Sequence, residues 1–178
     1  MRPRLTAAYF DELYAADADP WDFETSAYEH AKYDATIAAL DGPYATGLEI
    51  GCSIGVLTER LRPHVAELLA VDVSEPALAA ARRRVPGVRF ERRELPEEFP
   101  PRGFELIVAS EVLYYLDPPA FEATLDRLRA TVLAVHWRHP TRTYPMTGDE
   151  VHDALIRRLG PPAYSAPTPD YRLDRWDS

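Results

Sequence analysis

Apolar positions recur along this chain with two different periods. From Thr6 to Ala16, Ala7, Phe10, Leu13 and Tyr14 fall at helical spacing, and Asp17 to Pro20 ends the run. Ser26, with Glu29 three residues on, makes a capping-box pattern that predicts a second helix to about Leu40, closed by Asp41-Gly42-Pro43. Beyond it the pattern changes to short, continuous apolar runs, the signature of strands buried on both faces. They predict strands at Thr46–Ile50, Glu67–Asp72, Val88–Arg93, Phe104–Ser110, Thr131–Trp137 and Tyr171–Trp176. Helical patterns lie between them: from a glycine loop to near Pro63, from a Ser74 cap to about Arg84, and from Asp117 with Pro118-Pro119 in its first turn. A second capping box, Thr147 to Glu150, opens a helix to about Leu159, and the prolines from Pro161 to Pro169 mark an irregular stretch. Strand-then-helix repetition predicts a doubly wound α/β fold: a mostly parallel sheet with helices on both faces and ligands at the carboxyl ends of its strands.

Composition narrows this. With 178 residues and 46% hydrophobic content, the chain is expected to form one domain, 1–178, with residues 1–42 as a helical region ahead of a core from 43 onward. A formal charge of −9 argues against a general nucleic-acid partner, because phosphate contacts need a basic surface. Neither a signal pattern nor an apolar stretch of membrane-spanning length is read, so the cytoplasm is the expected location and no membrane partner is expected. Cys52 is the single cysteine, and His30, His64, His139 and His152 make no metal-ligand spacing with it, so no metal is expected. Oligomeric state is not readable from these features.

The candidate chemistry centres on Leu48-Glu49-Ile50-Gly51-Cys52-Ser53-Ile54-Gly55. Gly51 and Gly55 allow backbone angles and close ligand approach that a side chain would block. Ser53 and Val56 occupy the second and third glycine positions of a dinucleotide fingerprint, so that pattern fails. Glu49, two residues before the first glycine, would repel a pyrophosphate and attract a cationic cofactor. Asp72, twenty-one residues after Gly51, is placed to accept hydrogen bonds from two ribose hydroxyls. The plain alternatives are a solvated charge for Glu49 and a helix cap for Asp72. S-adenosylmethionine carries a sulfonium and an ammonium and no phosphate, which suits both acids.

On these residues the chain resembles the class I S-adenosylmethionine-dependent methyltransferases, whose second motif is matched by Ala70-Val71-Asp72-Val73-Ser74. More closely, Asp19-Pro20-Trp21-Asp22-Phe23, Tyr28-Glu29, Lys32-Tyr33, Glu111-Val112-Leu113-Tyr114-Tyr115-Leu116 and Val135-His136-Trp137-Arg138 resemble the nodulation protein S family. The resemblance implies a seven-stranded Rossmann-like sheet, S-adenosylmethionine as cofactor and S-adenosylhomocysteine as product. It also implies N-methylation of an amino sugar or related small molecule. Carried over onto this chain, Gly51, Cys52, Ser53, Gly55, Asp72, Val73 and Ser110 would contact the cofactor, with Glu94 and Leu95 at the adenine. Glu94 stands where the family usually has aspartate.

Seven of the nineteen aromatic residues lie between Tyr9 and Tyr33, an enrichment with two readings: they pack the helices onto the sheet, or they form a lid in which Tyr14, Trp21 and Tyr28 shield the cofactor and Lys32 reaches its carboxylate. The acceptor would be held by this lid, the loop after Tyr115 and the segment from His139 to Thr147. Glu111, His136 and Tyr114 are the candidate catalytic residues, Glu111 or His136 taking the proton of an acceptor amine. Core packing competes with a substrate role for Tyr114 and Tyr115, and a structural hydrogen bond competes for His136. Three rivals remain at this stage: a non-catalytic cofactor-binding module, an O-methyltransferase and a nicotinamide-dependent oxidoreductase.

Overall fold

The continuous apolar runs become the middle of one sheet. In the computed structural model, which describes residues 2–101 and 103–178, seven strands take the order β3-β2-β1-β4-β5-β7-β6. They are β1 (Tyr44–Ile50), β2 (Val65–Asp72), β3 (Arg89–Arg92), β4 (Leu106–Ser110), β5 (Thr131–Trp137), β6 (Tyr164–Ser165) and β7 (Tyr171–Trp176). The first five are parallel, and β7 runs antiparallel beside β5 with β6 at its edge. Order reverses between β1 and β4, the switch point at which such sheets open a ligand crevice.

Alternate strand residues face opposite layers, as the pleat requires. Ile107 and Ala109 join Leu48, Ile50, Val132 and Ala134 under α5 (Pro118–Leu125) and α6 (Gly148–Leu159). Leu106, Val108, Leu133 and Val135 face the other way. There they meet Phe10 and Tyr14 of α1 (Ala7–Ala16), Tyr33 of α2 (Ala27–Ala38) and Leu57 and Leu61 of α3 (Val56–Leu61). Leu78 and Ala81 of α4 (Glu75–Arg84) pack with Ala70 and Phe90 near the β3 edge. The two N-terminal helices thus share a core with the sheet.

Local differences from the sequence expectation have physical causes. Pairing of Tyr44 with Val65 starts β1 and β2 two residues earlier than expected, because the backbone ladder between the two strands continues past the polar Thr46 and Glu67. β6 forms inside the proline-rich stretch, where Tyr164 and Ser165 pair with Arg175 and Asp174. Thr147 and Glu150 make the complete capping box. At Ser26 only half of one forms: its hydroxyl accepts from Glu29 N–H, while the Glu29 carboxylate turns to the Lys32 ammonium instead. Ser74 sits at the N-cap of α4 without a side-chain cap bond; the Asp72 carboxylate accepts from its N–H at 2.9 Å.

Gly148 is what lets α6 approach β5. A Cβ there would stand 2.2 Å from the Trp137 carbonyl oxygen and 3.1 Å from the His136 Cβ. Gly148→Ala is therefore expected to destabilise the fold by roughly 2–3 kcal/mol, the cost of overpacking against backbone. Urea denaturation of the two proteins measures it, and an unchanged midpoint would contradict the close approach.

Candidate cofactor and acceptor site

The carboxyl ends of β1, β2 and β4 open onto a cavity whose floor is the glycine loop. Gly51 has φ 73°, and a Cβ on it would lie 2.6 Å from the Val112 side chain, so this position admits no larger residue without displacing the opposite wall. Ser53 also adopts a left-handed backbone, with φ 52°. Its N–H donates to Asp72 Oδ2 at 2.8 Å, and its hydroxyl meets the Tyr14 hydroxyl of α1. Cys52 is buried beside it, and burial pushes its thiol well above the ordinary value, which suits a packing role.

Four acids line this cavity, Glu49, Asp72, Glu94 and Glu111, the first two beside the glycine loop. Glu49 is 2% exposed, and Thr58, which donates to it at 2.5 Å, is the one hydrogen-bond partner of its carboxylate among the described residues. Burial pushes Glu49 up to about 8; the Thr58 hydrogen bond opposes that, and the charge of Asp72 adds to it. The solvated-charge alternative is thereby excluded. Asp72 accepts one backbone N–H on each oxygen, from Ser53 and Ser74, and keeps a lone pair on each for a ligand. Burial raises it too, against those hydrogen bonds. Trp21, Val73, Glu94, Leu95 and Ser110 complete the expected wall.

A second cavity of about 330 Å³ adjoins the first. Aromatic rings of Tyr28, Tyr114, Trp137 and Tyr144 line it, together with Glu29, Lys32 and Thr141. Trp21, Phe23, Glu111 and Tyr115 face both cavities. Glu111 is held with φ 55° by three donors: Lys32 Nζ at 2.7 Å on Oε1, and the Tyr114 hydroxyl and Trp137 N–H, the latter at 3.0 Å, on Oε2. Lys32 also pairs with Glu29 at 2.9 Å. Burial lowers the Lys32 proton affinity, and the two carboxylates more than restore it, so the amine is charged.

Four expectations need correction. Tyr28 does not join Tyr14 and Trp21 on the first cavity; its ring lines only the second. Lys32 does not line the cofactor cavity; its ammonium is fixed between Glu29 and Glu111 in the second one. His136 lines neither cavity: it is fully buried, with Nε2 accepting from Leu113 N–H and Nδ1 against His152, so it has no free nitrogen for an acceptor. Gly55 stays off the cavity wall; at φ 82° it lets α3 start against α4, where a Cβ would stand 3.0 Å from that of Ala81. Arg4 and Leu5 were not foreseen on the cofactor cavity, nor was Glu29 on the second. Leu5 N–H donates to the Tyr115 carbonyl at 3.0 Å, an extended crossing with no periodic signal in a short polar segment. Glu29 was masked by its part in a capping pattern.

Two buried acids beside the glycine loop, neither paired with a cation among the described residues, suit hydroxyl and cationic groups of a ligand as hydrogen-bond partners. No group of three or more His, Cys, Asp or Glu among the described residues is arranged to hold a metal ion. No helix among them is long and apolar enough to cross a membrane.

Strand order, the antiparallel β7 and the acid-bearing glycine loop define the Rossmann-like methyltransferase fold. A sequence model of the nodulation protein S (NodS) family matches residues 10–134, and the chain belongs to that family. It is 32% identical to nodulation protein S of Sinorhizobium fredii (strain NBRC 101917 / NGR234) over 124 residues, 67% of this chain and 57% of that protein. It is 34% identical to trans-aconitate 2-methyltransferase of Methylobacterium nodulans over 127 residues, 67% of this chain and 46% of that one. The chain spans about half the length of the relatives it matches by sequence. Among solved structures, N-methyltransferase NodS from Bradyrhizobium japonicum WM9 in complex with S-adenosyl-l-homocysteine superposes with a TM-score of 0.80 at 22% identity, covering 96% of this chain and 97% of that one.

The raised Glu49 has a measurable consequence. Between about 4.5 and about 8 the folded protein holds a proton there that the unfolded chain has released, so this group's contribution to stability falls as pH rises through that window. Glu49→Gln is expected to gain stability relative to the parent from pH 5 to pH 8. Denaturation at both pH values measures the difference, which stays constant if Glu49 titrates normally.

Proposed function

We propose that this chain transfers a methyl group from S-adenosylmethionine to the amine of a small acceptor, an amino sugar or related metabolite. The observation that carries the reading is Glu111, a carboxylate on the wall shared by a cofactor-shaped cavity and a separate aromatic one. In this reading Asp72 binds the ribose, Glu49 faces the cationic end, and Glu94 and Leu95 meet the adenine. Gly51, Cys52, Ser53, Val73 and Ser110 shape the floor and wall, and Trp21 covers the methionine part. Residues 1–42 act as the lid. The bound cofactor supplies an electrophilic methyl on its sulfonium.

The chain's own residues supply position and a proton acceptor. Three of the roughly four lone-pair sites of Glu111 are taken, which leaves one on Oε1 for an acceptor N–H. Tyr114 orients that carboxylate rather than reacting, since its hydroxyl donates to Oε2. An amine must lose a proton before it attacks, and Glu111 takes it. Aromatic faces and two carboxylates against one ammonium favour a cationic guest. The same balance disfavours a polycarboxylate such as trans-aconitate, on which some relatives are named to act.

Labelled cofactor offered with amino sugars and small primary amines is expected to give N-methyl products, with trans-aconitate unmodified; methylation of trans-aconitate alone would overturn the amine reading. Glu111→Gln should lower turnover by roughly 100-fold with S-adenosylhomocysteine affinity kept, as loss of a general base does. Asp72→Asn, which loses charge-assisted hydrogen bonds to the ribose, is expected to weaken S-adenosylhomocysteine binding about 10-fold by calorimetry. Tighter binding of NAD than of S-adenosylhomocysteine would sink the cofactor assignment.

A further inference from the structure

His136, His152 and Asp174 form a buried file across β5, α6 and β7 that the proposed chemistry does not use. A backbone N–H can only donate, so the 3.2 Å contact from Leu113 N makes His136 Nε2 an acceptor and puts the proton of the neutral ring on Nδ1. That Nδ1–H donates to His152 Nε2 at 3.1 Å, which makes the second ring an Nδ1–H tautomer as well. His152 Nδ1–H then donates to Asp174 Oδ2 at 2.5 Å, and the Ser165 hydroxyl of β6 donates to Oδ1 at 2.5 Å. The direction of every bond is set by its two ends, an amide that cannot accept and a carboxylate that cannot donate.

The protonation states agree with this direction. Burial pushes both imidazoles below their ordinary value, His136 furthest. Burial would raise Asp174, but the hydrogen bonds from His152 and Ser165 hold it below the usual carboxylate range. Neutral rings and an ionised acid are what the file needs. A polar file in a core is costly when broken, because each unpaired donor is stranded out of water.

Its far end is the turn Leu113–Tyr115. Leu113 and Tyr115 line the cofactor cavity, Tyr114 and Tyr115 line the second, and the Tyr114 hydroxyl holds Glu111. We propose that Asp174 and His152 are positioning residues for the transfer site: through them His136 is kept as the Nδ1–H tautomer, and its Nε2 anchors the turn between the two cavities. Without an acceptor at the Asp174 end, the rings are free to adopt the other tautomer, which sets His136 Nε2–H against Leu113 N–H. This role in transfer rests on the methyltransferase reading above, whereas the tautomer and the anchor do not.

The test reads ring nitrogens and amide exchange in the full chain. Long-range ¹H–¹⁵N spectra are expected to show both rings as Nδ1–H tautomers in the parent and in Asp174→Asn, whose amide oxygen still accepts from His152. Asp174→Leu, which removes the acceptor, should lose that signature and speed Leu113 amide exchange at least tenfold while amides of β1 and β4 stay protected. His152→Phe cuts the file at its middle and is expected to give the same Leu113 result if the leucine variant fails to fold. S-adenosylhomocysteine affinity should stay within twofold of the parent in every folded variant, and methyl transfer to an amine the parent accepts should fall at least tenfold and recover in Asp174→Asn. An Nε2–H signal on either ring of the parent, or Leu113 exchange unchanged in a folded cut variant, overturns the proposal. Absence of methyl transfer by the parent itself counts against the methyltransferase reading, and with it the role in transfer, while the spectra still decide the anchor.

Discussion

Glu111 carries three hydrogen bonds from three separate parts of the chain, and much of the site's geometry depends on them. Lys32 comes from α2, Tyr114 from the turn after β4, and the Trp137 amide from the end of β5. Together they hold a non-glycine residue in a left-handed backbone conformation, which a lone side chain would not sustain. The N-terminal helices are thereby tied to the sheet at its switch point by a buried ion pair as well as by apolar packing. Lys32 is the chain's one lysine and 2% exposed, so removing its ammonium leaves two carboxylates in the interior without a cation.

The first cavity is different beside its glycine loop. Glu49 and Asp72 crowd two acids onto one wall, and no lysine or arginine contacts either of them among the hydrogen bonds and ion pairs of the described residues. Burial makes such a wall resist ionisation until a cation arrives. The second cavity has its cation in place, already neutralised by two carboxylates.

The sheet was legible because buried strands write themselves as continuous apolar runs, and those five runs gave β1 to β5 in the right places. Strand ends were less so, since pairing at the rim depends on a neighbour and not on hydropathy. β6 was hidden by its prolines. Glu49, Gly51, Ser53 and Asp72 could be placed together on one cavity wall from the sequence, because each lies at or just beyond a strand's carboxyl end. Lys32, Gly55 and His136 could not be assigned correctly: a position along an element says which end a residue occupies, but not which of several partners captures its side chain. Glu29 shows the competition plainly, leaving its cap for an ammonium one helical turn away.

Trp21, Phe23, Glu111 and Tyr115 are a wall common to both compartments. Any coupling carried by those shared side chains is reciprocal: whatever the first guest does to the affinity of the second, the second does equally to the first. On the proposed function, cofactor and acceptor would meet across that wall, so that departure of one product would be felt by the other.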